Sequence, residues 1–308
     1  VMSSRTFSSR LHRSTITLWL FALFLIASSA LSTSARAQIH LKTSNSEAAS
    51  VVQTPRVRAE LVAQAPDGIT AGQTLWLGLK LAHEPDWHTY WKNAGDSGLP
   101  TDLQWQLPAG LSAGAIEWPT PHALRVGPLV NYGYEGTVLL PVPVKVAADF
   151  QPPASGTAEI RLSANWLICR VECIPESGEF TLQLPVQGTT ATHSDDFFKA
   201  HAQQPVQLSA AGKATVQASA DDHINIRISG LPASLQGQSL EFYPENAETF
   251  KHAAESGKDW QQRWDGSDWV AEGLPLSDMR GETPKQLAVV VALPAAAREA
   301  ALAQGQPI

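Results

Sequence analysis

Ile160-Arg161-Leu162-Ser163-Ala164-Asn165-Trp166-Leu167-Ile168-Cys169-Arg170-Val171-Glu172-Cys173-Ile174-Pro175, followed by Phe180-Thr181-Leu182-Gln183-Leu184-Pro185-Val186, is the most informative stretch of the chain. Ile160, Leu162 and Ala164 alternate with polar residues, and so do Phe180, Leu182, Leu184 and Val186. Period two is the signature of a half-buried strand. Two such runs flank a cysteine pair spaced C-x3-C. On one continuous strand the two Cα atoms would stand about 13 Å apart, at ~3.3 Å per residue. A disulfide needs roughly 4.4–6.8 Å. Pro175 argues against a helix. The spacing therefore predicts a hairpin: residues 159–168 run up, Arg170 to Glu172 reverse the chain, and 176–186 return. Cys169 and Cys173 then face each other across its mouth.

The same alternation recurs outward from this hairpin. Leu75, Leu77, Leu79 and Leu81 share one face, and so do Val138, Leu140, Val142, Val144 and Val146. Pro66-Asp67-Gly68, Asn93-Ala94-Gly95 and Pro108-Ala109-Gly110 mark turns between runs. Many short strands so punctuated predict a mainly β protein, a β-sandwich over 55–187. Pro141 and Pro143 predict an edge or irregular strand. The pattern lapses near 188. Residues 188–204 read as a linker with a short helix over 194–202, Ser194 being its N-cap candidate. A second β-rich domain is expected over 205–293, with strands at His223–Ile228 and Leu287–Leu293 and a helix over 246–256 ended by Gly257. Residues 294–308 read as a helical tail, Ala-rich over 295–304.

The first residues address compartment. Arg5, Arg10 and Arg13 precede an apolar run from Ile16 to Ile26, and Ala35-Arg36-Ala37 offers an A-x-A cleavage site. That order is the secretory signal pattern, so 1–37 is expected to be removed, with 38–54 a Ser/Thr/Ala-rich linker. Residues 1–37 carry four arginines and no acid, so the net charge of −7 becomes −11 without them. An acidic chain is a poor partner for nucleic acid. About 270 remaining residues suggest two domains. The chain has two cysteines, and in an oxidising compartment they can form one disulfide.

Spacing alone leaves two roles open for that bond, structural and redox. Closing five residues contributes about 2 kcal/mol on the chain-entropy estimate, far less than a bond between sheets. The thiolate is the nucleophile, and a neighbouring cation favours it. Arg170 is so placed for Cys169, while Glu172 opposes ionisation of Cys173. Metal handling has little support: nine scattered histidines form no ligand spacing. Neither a metal nor a cofactor is expected. There is no G-x-S-x-G for a hydrolase.

Taken together, Asn165-Trp166-Leu167-Ile168-Cys169 and Cys173-Ile174-Pro175-Glu176 resemble the amino-terminal domain of DsbD reductases, most closely the ScsB-like branch. Trp87-His88-Thr89-Tyr90-Trp91-Lys92-Asn93-Ala94-Gly95-Asp96-Ser97-Gly98-Leu99-Pro100 fits upstream in the same order. So do Ile116-Glu117-Trp118-Pro119-Thr120-Pro121 and Asn131-Tyr132-Gly133-Tyr134-Glu135-Gly136. The likeness is strong over about 70–187 and loose over 200–293. It implies an immunoglobulin-like fold with Cys169 and Cys173 as a catalytic pair at one end. It implies a protein-disulfide reductase in the periplasm, serving electron transport of the kind used in cytochrome c biogenesis. Its partners would be thioredoxin-fold proteins, and its electrons would come from the membrane and thioredoxin-like domains of a longer inner-membrane form. Residues 294–308 would lead into that membrane part. Trp166, His88 and Tyr90, with Arg170 and Glu172, would lie near the pair. A cap over 119–134 would shield it, with His122, Leu124, Val126, Leu129 and Tyr132 as candidates. Two features depart from the family: the cysteine spacing is shorter than in the enterobacterial protein, and the cap lacks its Phe-Tyr pair. The competing reading is a non-enzymatic β-sandwich interaction or chaperone module with a structural disulfide.

The loop arithmetic carries a test. The Cys169→Ser/Cys173→Ser double variant is expected to stay folded and lose about 2 kcal/mol, well within the ~5–15 kcal/mol of a stable domain. Urea unfolding of the double variant against wild type measures it.

Overall fold

The computed structural model describes residues 49–219, 222–280 and 286–304. The signal sequence and cleavage site expected in 1–37, and most of the 38–54 linker, lie outside the described residues. The described residues form one compact unit.

The strands before residue 188 are β1 (Val51–Gln53), β2 (Val57–Gln64), β3 (Thr74–His83), β4 (His88–Gly95), β5 (Asp102–Gln106), β6 (Leu111–Ala113), β7 (His122–Val126), β8 (Leu129–Glu135), β9 (Thr137–Val146), β10 (Thr157–Cys169) and β11 (Cys173–Pro185). They form two antiparallel sheets. One runs β1-β2-β3-β9-β6. The other runs β11-β10-β4-β8-β7, with β5 pairing β10 beside it. Packed face to face, they make an immunoglobulin-like β-sandwich. Leu77, Leu79, Leu81, Leu140 and Val144 from the first sheet meet Ile160, Leu162, Ala164, Trp166, Ile168 and Phe180 from the second, all essentially inaccessible to solvent. Each fully buried side chain of the Leu, Ile, Val or Phe type contributes roughly 1.5–3 kcal/mol, so the alternation itself decides which face turns inward.

The prolines of β9 sit where a strand tolerates them. Pro141 and Pro143 pair with Gly78 and Trp76 of β3. On the other edge their carbonyls accept from Glu117 and Gly114, outside any strand, so that edge is not a continuous ladder. The strand is not an edge, since β6 pairs with it over 144–146, but of the two sequence expectations the irregular one holds on that side.

After the sandwich come α1 (Ser194–Ala202), β12 (Lys213–Ala218), β13 (His223–Ser229), β14 (Glu241–Pro244), β15 (Gln261–Asp265), β16 (Asp268–Pro275), β17 (Val289–Ala292) and α2 (Ala295–Ala303). Helix α1 covers the outer face of the first sheet, where Phe197 and Ala200 bury against Val62 and Leu139. Its N-cap is His193 rather than Ser194; the Ser194 hydroxyl donates to the Ala191 carbonyl instead. Strands β12-β13-β16-β15 form a separate sheet, and β14 pairs with β17 as a ribbon. The ribbon uses its pleat on both sides. Tyr243 and Val290 enter the sandwich core, while Phe242 and Val291 pack against the second cluster around Trp269 and Ile226.

Two sequence expectations are corrected. No helix forms over 246–256; the segment is turns and bridges. Phe250 pairs with Leu276, and Ser256 with Trp260; both Phe250 and Trp260 are buried in the second cluster, so anchoring to its sheet wins over local helix propensity. The Pro and Gly content of the cap segment over 119–134 argues against a regular strand, yet most of it is a regular hairpin, β7 against β8. Gly133 lies in strand because a Cβ there would come within 2.1 Å of the Thr89 carbonyl oxygen. It serves a close approach of β8 to β4, and Gly127, at φ 60°, supplies the turn.

Candidate redox site

Strands β10 and β11 pair in continuous register from Thr157↔Pro185 to Cys169↔Cys173. The turn closes with the Arg170 N–H donating to the Glu172 carbonyl at 3.1 Å. The Cα atoms of Cys169 and Cys173 are 4.2 Å apart, and the two are disulfide-bonded. The pleat then sorts their neighbours. Trp166 and Ile168 point into the sandwich core. Leu167 and Cys169 point the other way, where Cys169 packs with Tyr90 and Ala94. Cys169 is buried at 3% exposure, whereas Cys173 is exposed. The bond thus joins a buried cysteine to an exposed one.

Strand β4 supplies the floor of the site. His88 is the ladder partner of Cys169. Two residues along, on the same face, the Tyr90 ring is almost wholly buried and sits edge-on to His88, centroids 5.3 Å apart. The Tyr90 hydroxyl lies 3.6 Å from Cys173 Sγ. Burial pushes the Tyr90 phenol up, and a side-chain hydrogen bond with Ser97 offsets part of this. The phenol is therefore protonated at neutral pH, a proton donor facing sulfur. His88 is also buried, and burial pushes its pKa down, so it is neutral. Its Nε2 has no hydrogen-bond partner among the described residues.

Residues 96–98 cover Tyr90, a role the sequence did not suggest. Gly98, at φ 113°, rests on the ring so closely that a Cβ would stand 2.3 Å from Tyr90 Cε1. The loop is pinned to β8: the Asp96 carboxylate accepts from the Val130 N–H at 2.7 Å, and Asn131 Oδ1 accepts from the Ser97 N–H and hydroxyl. Two glycines around Asp96-Ser97 were the available signal.

The remaining candidates have other surroundings. The exposed Arg170 places its guanidinium 5.1 Å from the Trp87 ring centroid, and Arg56 lies 5.2 Å from the same centroid. Trp87 belongs to the sandwich core. Glu172 is exposed. Trp166 donates from Nε1 to Glu176 at 3.2 Å, and Glu176 also pairs with Arg56, tying the hairpin to the chain before β2. Of the cap candidates, Tyr132 and His122 reach residues beyond the sandwich. Tyr132 packs on Trp91, Tyr243 and His252, and His122 pairs with Glu299. Leu124 lies beside Gly133, while Val126 and Leu129 face each other at the hairpin turn. The segment acts at one remove, through Val130 and Asn131 holding the loop on Tyr90. Among the described residues no group of three or more His, Cys, Asp or Glu side chains is gathered as for a metal ion.

Residues 58–185 match the family model described as thiol:disulfide interchange protein DsbD, N-terminal. The structure is similar to the crystal structure of the N-terminal periplasmic domain of ScsB from Proteus mirabilis, with a TM-score of 0.54 and 17% identity over 79% of this chain and 92% of that one. At that identity the likeness is one of fold. No curated protein sequence matches the chain.

The Tyr90 hydroxyl carries a test. In reduced protein it is placed to donate to a Cys173 thiolate, and hydrogen bonds to charged groups contribute ~1.5–3 kcal/mol. Tyr90→Phe is expected to raise the pKa of Cys173 and slow its alkylation at neutral pH by about ten- to a hundredfold. Alkylation rate against pH, for variant and wild type, measures it; superimposable profiles would remove the hydroxyl from the chemistry.

Proposed function

We propose, from the premise that residues 58–185 belong to the DsbD amino-terminal domain family, that Cys169 and Cys173 pass electrons to disulfides of thioredoxin-fold proteins in the periplasm. The observation that carries this reading is the asymmetry of the bond: Cys173 is exposed at a hairpin end and Cys169 is buried behind it. A sulfur must be reached in line by its partner, and Cys173 meets that condition. A five-residue loop also contributes little to stability, so the bond's position suits exchange better than stapling.

The steps follow from thiol chemistry. In reduced protein the Cys173 thiolate attacks a sulfur of the partner disulfide. A mixed disulfide forms, and the partner's other sulfur leaves as a thiolate. Cys169, as thiolate, then attacks Cys173 Sγ. The Cys169–Cys173 bond re-forms, the partner's second sulfur departs, and two electrons have moved to the partner. Re-reduction by a thioredoxin-like donor runs the same steps backward. That donor, and the membrane domain feeding it, belong to the longer form expected from the family. No cofactor takes part. Tyr90 and the loop over it keep small oxidants from the inner side of the pair, while the outer side, with Val171 at 92% exposure, admits a protein surface.

Trapping decides between this reading and a structural disulfide. Cys169→Ser leaves the exposed sulfur unresolved and is expected to accumulate a mixed disulfide with an oxidised thioredoxin-fold protein, whereas Cys173→Ser is expected to form little. Non-reducing electrophoresis after acid quenching reads both. Absence of adduct in either variant, with a wild-type bond that resists a thioredoxin-like donor, would return the pair to the structural reading.

A further inference from the structure

The redox reading leaves one proton without a destination. Cys169 must lose its proton before it resolves the mixed disulfide, yet it is 3% exposed. Burial in apolar surroundings raises a thiol pKa above its ordinary ~8.5, so the unaided thiolate is scarce at neutral pH. Water has poor access, and a side chain must take the proton.

Two titratable groups share the sulfur's face of β4. Tyr90 is protonated and held so by burial, so it donates and cannot accept. His88 stands directly opposite Cys169 in the ladder, and direct cross-strand partners hold their Cβ atoms about 4.5–5.5 Å apart on one face of the sheet. His88 Nε2 is buried without a partner among the described residues. A buried polar nitrogen left unpaired costs roughly 1–3 kcal/mol, and such a group in a folded protein calls for an explanation. The other charged or titratable neighbours do not compete. His83, on β3, bonds the Gly136 carbonyl and the Thr89 hydroxyl and is driven down to about 4, chiefly by burial. Glu135, the ladder partner of His88 on β8, is exposed. Arg170 lies over Trp87.

We infer that His88 is the general base of the resolving step, accepting the Cys169 proton at Nε2. The inference rests on the redox reading and adds a residue to it. The proton leaves Cys169 Sγ for Nε2, the electron pair freed on sulfur forms the Cys169–Cys173 bond, and the partner sulfur departs with the pair of the mixed disulfide. The imidazolium then returns the proton to that departing thiolate or to solvent. General bases contribute about 10²–10⁴-fold.

The experiment follows the adduct with glutathione disulfide as probe. Reduced wild type and His88→Gln are mixed with it, quenched in acid, and the glutathionylated species is timed by mass spectrometry. Glutamine keeps size and polarity without basicity. At pH 7 its adduct is expected to form at the wild-type rate and decay at least about tenfold more slowly. Above the raised thiol pKa, which lies beyond the ordinary ~8.5, the two decay rates should converge, which a merely structural defect would not produce. Wild-type decay should itself slow on acidification, as His88 becomes charged, and this profile stands even where the variant folds poorly. Equal decay at pH 7, a deficit unchanged at high pH, or a wild-type rate that does not fall in acid would overturn the role of His88. No adduct at all in wild type would overturn the redox reading beneath it.

Discussion

The last rung of one antiparallel ladder governs this site. Cys169 pairs with Cys173 at the hairpin end, and because strand pleating has period two, the register fixes everything else about the sulfurs. A slip of one residue would send Cys169 into the sandwich and Ile168 out of it. Thirteen paired positions and the burial of Ile160, Leu162, Ala164, Trp166 and Ile168 hold the register. The apolar core thus sets which sulfur is covered, although no core residue needs to touch the chemistry.

Asymmetry then comes from strand β4, laid on one side of the hairpin end only. Its His88 pairs with Cys169 in the ladder, and its Tyr90 packs on Cys169 and reaches Cys173 Sγ, while Cys173 and Val171 stay exposed. The support continues in layers: Gly98 on Tyr90, Asp96 and Ser97 held by Val130 and Asn131, and β8 held through Tyr132 to Tyr243 and His252. Lys92 and Asn93, further along β4, reach Glu245 and the Pro244 carbonyl. One strand therefore carries the sulfur contacts at its start and the contacts to the second block at its end.

Much of this was legible because it depends on period two. The alternation of Leu75 to Leu81 and of Ile160 to Ala164 gave the sandwich faces, and the C-x3-C spacing excluded a single strand, leaving the hairpin mouth. What was not legible depends on contacts distant in sequence. Pro and Gly between 119 and 134 read as a loop, yet Gly133 is in strand because only a residue without a side chain fits against Thr89. The helix expected over 246–256 gives way because Phe250 and Trp260 bury in a sheet-based cluster. Residues 295–304 read only as an Ala-rich helical tail, but Arg298 of α2 is buried, donates to the Pro121 carbonyl and lies over Tyr243. Arg170 is next to Cys169 in sequence, and its contact with the Trp87 ring is one that adjacency does not show.

The central claim is that the two sulfurs differ in access and that Cys173 is the one partners reach. Brief alkylation of the reduced, folded protein reads this directly. Trypsin cuts after Arg170, which puts Cys169 and Cys173 on different peptides for mass spectrometry. Cys173 is expected to be modified first, with Cys169 protected until the protein is unfolded. Equal modification of both, or faster modification of Cys169, would contradict it.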